Sequence, residues 1–188
     1  MKDIPVNYKL AYQQGFIEER IRLAARDLDA YSRFILQSTG KPPIFLCVLE
    51  GGLFFYSELL KHIPSNQVET AFYRVATYDG KQKTVSQTRQ TSLGVDLLSI
   101  RGRTIILVDD ILDTGDTLSR IHDRLTVGEP HTIRAAVLIH RVRENNYLAF
   151  DVHTYRAIEH KGEEWFVGYG MDDNGLNRNL LDIYIKEK

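Results

Sequence analysis

Cysteine is almost missing from this chain. The one thiol, Cys47, sits inside an apolar stretch and has no partner for an internal disulfide, which fits a reducing, cytoplasmic setting. No apolar run approaches the roughly 20 residues of a membrane helix. The opening MKDIPVNYKLAYQQG lacks the apolar centre of a signal peptide, so no membrane association is expected. Net charge is nearly absent too: 24 basic residues against 25 acidic ones leave −1. No global field draws nucleic acid to such a surface, and any anion must be bound locally. The six histidines complete no HExxH and accompany no CxxC, which argues against a structural zinc. Internal repeats, low-complexity tracts and linkers are lacking as well. What remains, 188 residues with 43% hydrophobic and 26% charged, has the size and balance of one globular domain spanning 1–188.

Within it, Ile17, Ile21, Ala24, Leu28, Tyr31 and Ile35 recur at helical spacing, predicting an amphipathic helix over Phe16–Leu36 whose stripe packs on the core. Lys41-Pro42-Pro43 ends that region, and Ile44–Leu49 is a short continuous apolar run of the kind a buried parallel strand needs. Leu53–Ile63 reads as a helix and Val68–Thr77 as a strand. The polar stretch 78–91, without hydrophobic period, reads as a mobile loop. Leu93–Leu98 and Arg103–Val108 follow as strands, Thr117–Thr126 as a helix and Thr132–His140 as a strand. Such alternation implies an α/β fold with a mainly parallel central sheet flanked by helices, and ligands beyond the carboxyl ends of its strands.

The most informative segment is Ile105–Leu118, IILVDDILDTGDTL. A hydrophobic strand here runs into Asp109 and Asp110, and Thr114-Gly115-Asp116-Thr117 then opens a helix. A helix amino end offers free backbone N–H groups and the positive end of a dipole. Gly115 permits close backbone approach, and Thr114 and Thr117 add hydroxyls. Together these make a cradle for a phosphate monoester. Carboxylates beside an anion site make sense if the ligand is a sugar phosphate. Asp109 and Asp110 can accept hydrogen bonds from ribose hydroxyls, directly or through magnesium. Asp113, between sugar and phosphate residues, is left for acid or base work.

Rival signatures fail. Gly40-Lys41 and Gly80-Lys81 lack the earlier glycine of a Walker loop, and Gly168-Tyr169-Gly170 lacks the third glycine of a dinucleotide fingerprint. Asp172-Asp173-Asn174-Gly175 resembles part of a calcium loop, but Gly170 and Leu181 occupy its terminal ligand positions.

With Ile105–Thr117 in that frame, the sequence resembles the type I phosphoribosyltransferases, and specifically the hypoxanthine-guanine phosphoribosyltransferases, from about Ile44 to the end. The resemblance implies a small hood formed by terminal segments, with a purine-binding part near 150–188, and a homodimer or homotetramer. Leu49-Glu50-Gly51-Gly52 resembles the pyrophosphate loop, in which the first peptide is often cis; many relatives carry lysine where this chain has Glu50. Thr77-Tyr78 stands where relatives begin a closing loop. Arg141 matches a lysine that recognises the purine 6-oxygen. Trp165 would stack on the base while Phe166 and Val167 read its edge through their backbone, Asp172 would contact a metal-bound water, and Arg178 would contact pyrophosphate.

The implied reaction displaces pyrophosphate from phosphoribosyl pyrophosphate by a nitrogen of a purine base, with Mg2+ as cofactor and Asp113 sharing the purine proton. Asp113 itself favours a 6-oxopurine, because relatives acting on orotate or adenine commonly have a small residue there. A xanthine-preferring enzyme and a non-catalytic nucleotide-binding regulator of the same fold are the alternatives.

Overall fold

The computed structural model describes residues 7–64, 67–74, 96–142 and 154–187. Its central layer is a five-stranded, all-parallel sheet in the order β3-β2-β4-β5-β6, made of β2 (Ile44–Leu49), β3 (Glu69–Arg74), β4 (Thr104–Leu112), β5 (Thr132–Arg141) and β6 (Thr154–His160). Helices α1 (Gln14–Thr39) and α2 (Leu53–Lys61) contribute Ile17, Ile21, Leu28, Phe55 and Leu59 to the core on one face of the sheet. Helix α3 (Asp116–Thr126) closes the other face with Leu118, Ile121 and Leu125. Because both faces are covered, β2 and most of β4 are buried and read as unbroken apolar runs.

A second, antiparallel sheet in the order β1-β8-β7 forms the hood from β1 (Tyr8–Tyr12), β7 (Trp165–Val167) and β8 (Ile183–Lys186). The carboxyl-terminal segment expected to supply the hood from near 150 therefore divides. Thr154–His160 pairs in parallel with β5 and is the outer strand of the central sheet, and the hood strands come after it.

Other boundaries also differ from expectation. Helix α1 extends three residues past Leu36 and ends on Gly40, whose left-handed φ of 69° lets its N–H reach the Leu36 carbonyl at 2.9 Å. The strand expected over Leu93–Leu98 is not one where it is described. Residues 97–102 form turns, held by the Asp96 carboxylate accepting from the Leu98 N–H at 3.1 Å and the Asp96 carbonyl accepting from the Ser99 N–H at 3.0 Å. Short polar side chains have here offered the backbone a local alternative to a sheet ladder. The loop expected at 78–91 lies outside the described residues.

Candidate active site

Strand β4 does not stop at Val108. It continues to Leu112, with Asp109 registered against Val137 and Leu112 against His140 of β5. The two aspartates thus sit on a strand, not in a loop, and their carboxylates lie within hydrogen-bonding reach of one another. The strand order supplies the reason ligands belong here. From β2 the chain crosses to β3 on one side, whereas β4 leads to β5 on the other, so a crevice opens between the carboxyl ends of β2 and β4. Two helices start at this crevice: α2 behind Gly52 and α3 behind Gly115.

Gly115 takes φ 89° as the residue preceding α3, a conformation a side chain would strain, and the Asp116 N–H reaches the Thr114 hydroxyl at 3.3 Å. Thr114, Asp116 and Thr117 are exposed, so the expected cradle is present as an open helix end. Across the crevice the Leu49–Glu50 peptide is cis, and Gly51 approaches Asp110 so closely that a methyl group would collide with the carboxylate. Gly170, with φ 102°, in turn rests on the Gly51 carbonyl. Gly170→Ala is therefore expected to lose about 1–3 kcal/mol of stability by straining that backbone and forcing hood and loop apart. Chemical denaturation would read the loss, and an unchanged midpoint would show that the contact is dispensable.

Burial, together with the neighbouring negative charge of Asp110, holds the Asp109 carboxyl well above the usual carboxylate range. Asp110 is raised as well, mainly by burial, though Arg178 nearby opposes the rise. The same two carboxylates, after burial, help push the Cys47 thiol up to about 12, which leaves it an inert core residue. The two buried carboxylates thus stand side by side, and burial disfavours the charged form of each. Each aspartate spends one oxygen locally, Asp109 on the Asp110 N–H at 2.9 Å and Asp110 on the Ile111 N–H at 2.8 Å.

Beyond the strand end lies a cavity of about 190 Å³ lined by Asp110, Ile111, Asp113, Arg141, Trp165, Phe166, Met171 and Asp172. It brings together Asp113 with Arg141, Trp165 and Phe166 of the expected base residues, and Val167 is not part of its lining. Arg141 is only 4% exposed. Its Nε lies 3.2 Å from Asp113, while one terminal nitrogen donates to the Gly162 carbonyl and the other to Glu164 at 2.9 Å. Trp165 is 62% exposed and fixed at its edge, its indole N–H donating to the Asp172 carbonyl at 3.0 Å. Phe166 and Val167 are buried in β7. Asp172 spends both carboxylate oxygens inside the protein, on Arg178 at 2.7 Å and on the Gly175 N–H at 2.6 Å. Arg178 also holds the Gly170 carbonyl at 2.6 Å. Thr77 and Tyr78 lie outside the described residues.

Several contributors escaped sequence reasoning. Ile111 and Met171 line the cavity without any chemical signature. His160 bridges the Tyr12 hydroxyl at 2.7 Å and Glu164 at 2.9 Å, and packs edge-on to Phe166 at 4.7 Å, tying β1 to the cavity wall. As one of six scattered histidines it carried no signal. Glu50 pairs with Arg74 of β3 at 2.5 Å, a contact that joins the turn after β2 to β3 and that neither residue announces alone.

Residues 19–174 match the family model described as a phosphoribosyl transferase domain. The chain belongs to the phosphoribosyltransferases. Among curated relatives of this family, the hypoxanthine-guanine-xanthine phosphoribosyltransferase of Tritrichomonas foetus is 30% identical over 94% of this chain and 90% of its own. The hypoxanthine-guanine phosphoribosyltransferase of Aquifex aeolicus is 28% identical over 95% and 94%. A solved hypoxanthine-guanine-xanthine phosphoribosyltransferase superposes with a TM-score of 0.75 at 29% identity, covering 96% of this chain and 97% of the other. The type I phosphoribosyltransferase fold, with its parallel sheet and small hood of terminal segments, is thereby established for this chain. Phosphoribosyltransferases typically work on the magnesium complex of phosphoribosyl pyrophosphate. Among the described residues no three His, Cys, Asp or Glu side chains gather as a metal site, and no helix is long and apolar enough to cross a membrane.

Proposed function

We propose that this protein transfers the 5-phosphoribosyl group from phosphoribosyl pyrophosphate to a 6-oxopurine, hypoxanthine or guanine, releasing pyrophosphate and forming IMP or GMP in purine salvage. The observation that carries the reading is the cavity in which Asp113, Arg141 and Trp165 meet at the edge of the phosphate crevice. A planar base stacked on Trp165 has an apolar wall in Ile111 and Met171, a cation in Arg141 for its 6-oxygen, and a carboxylate in Asp113 for its ring proton.

The 5-phosphate belongs on the α3 amino end, with Thr114, Gly115, Asp116 and Thr117 around it. Asp109 and Asp110 face the ribose. Glu50-Gly51-Gly52 and the amino end of α2 hold the pyrophosphate from one side, and Arg178, reaching from the hood, holds it from the other. Attack by a purine nitrogen on the anomeric carbon breaks the bond to pyrophosphate, and Asp113 takes the displaced purine proton. Two adjacent carboxylates offer the hard oxygen donors a divalent cation takes, so Asp109 and Asp110 would hold Mg2+, with Asp172 touching it through a water. When bound, the cation supplies neutralising charge for the departing pyrophosphate. One catalytic unit spanning 1–188, assembled as a cytoplasmic homodimer or homotetramer, completes the proposal.

Arg141, which stands where the resemblance places a lysine, favours one second reading, a xanthine-preferring enzyme, because a guanidinium keeps the positive charge but changes the donor geometry at the base edge. Turnover measured with hypoxanthine, guanine, xanthine and adenine decides between them. We expect kcat/KM for the first two to exceed that for adenine by about a hundredfold or more, since a site built around a 6-oxygen rejects an amine. Xanthine leading the panel would favour the second reading, and no base-dependent release of pyrophosphate would sink both.

A further inference from the structure

We infer that Arg74, at the end of β3, is a pyrophosphate-binding residue, and that the carboxylate of Glu50 holds its guanidinium at the loop until the anion takes it over. This rests on the phosphoribosyltransferase reading and assigns a cation to a loop whose own side chain has the wrong sign.

The pyrophosphate loop leads into the amino end of α2, but residue 50 is acidic. A carboxylate there repels an incoming diphosphate unless something neutralises it. Parallel pairing places Arg74 beside Leu49 in register, so both strands end at one level and the arginine side chain starts next to the loop. Its Nη2 lies 2.5 Å from the Glu50 Oε1. Both side chains are largely in solvent, 67% exposed for Arg74 and 53% for Glu50. An ion pair so exposed is weak and exchanges readily, and a diphosphate, with more charge and more acceptor oxygens than one carboxylate, is the stronger partner for a guanidinium fork. Arg178 approaches from the hood side, where its two terminal nitrogens are spent on Gly170 and Asp172. The crevice then has an arginine on each flank, one fixed and one exchangeable.

The test is calorimetric titration of inorganic pyrophosphate, with magnesium present, into the full chain and into Arg74→Gln and Glu50→Gln, alongside steady-state kinetics. Wild-type protein should bind pyrophosphate. Arg74→Gln should bind it about tenfold or more weakly and show a matching rise in KM for phosphoribosyl pyrophosphate, with KM for the base unmoved. Glu50→Gln should bind pyrophosphate more tightly than wild type, because it removes a competitor for Arg74 and a repelling charge. Both sites are exposed, and both variants should unfold at the wild-type temperature, which separates a binding effect from a folding one. The inference is overturned if Arg74→Gln binds as wild type does, or if Glu50→Gln binds no more tightly than wild type. Wild-type protein that neither binds pyrophosphate nor turns over would instead bring down the underlying functional reading.

Discussion

Asp113→Asn is expected to cut turnover by about a hundredfold or more while leaving the affinity for phosphoribosyl pyrophosphate within about twofold. The substitution keeps the size of the side chain and one oxygen facing Arg141, whose Nε stands 3.2 Å away, so the cavity wall stays in place. What it removes is the capacity to take a proton, together with the negative charge beside Arg141. Asp113 lies just beyond β4 and lines the cavity proposed for the base, so its expected task is the purine proton and not the sugar phosphate. Steady-state turnover together with direct titration of phosphoribosyl pyrophosphate separates the two effects. Undiminished turnover would remove Asp113 from the chemistry, whereas an affinity loss as large as the rate loss would make it a binding residue.

The second large effect concerns Arg141. Arg141→Met should destabilise the fold by about 3 kcal/mol, a fall in melting temperature of about 6–12 °C for a chain of this size. The side chain is 4% exposed and bonds Asp113 together with the carbonyls of Gly162 and Glu164. Methionine fills similar space but leaves these acceptors without their donor, and the segment leading into β7 loses its anchor to β5. Activity should vanish with the base site. Arg141→Lys keeps the charge without the planar fork, so it should recover part of the stability and shift the preference among bases. A methionine variant that melts within about 2 °C of wild type would show that the buried guanidinium serves recognition alone.

How much of this could be read in the sequence depends on how local each signal was. The stripe of α1 and the apolar run of β2 were legible because burial on one helical face, or on both sheet faces, is written in consecutive residues. The phosphate cradle was legible for the same reason, since Thr114 through Thr117 form it within one turn. The end of β4 was misplaced because Asp109 and Asp110 interrupt the apolar pattern, while the backbone bonds that prolong the strand come from β5. Strand β1 gave no signal: YKLAY keeps Leu10 exposed and is a strand by virtue of β8, at the other end of the chain. Non-locality hid the site contacts as well. The pairing of Asp113 with Arg141 follows from the register of β4 and β5, where Leu112 lies opposite His140. The pairing of Glu50 with Arg74 follows from β2 and β3.

The hood carries a consequence for how the protein comes into being. Every strand and helix of the phosphate crevice precedes Trp165, but β1, made near the start, has its partner in β8, which is made near the end. A chain emerging from the ribosome can therefore assemble the parallel sheet and the cradle on α3 while β1 still waits, and the base cavity is the last part to close.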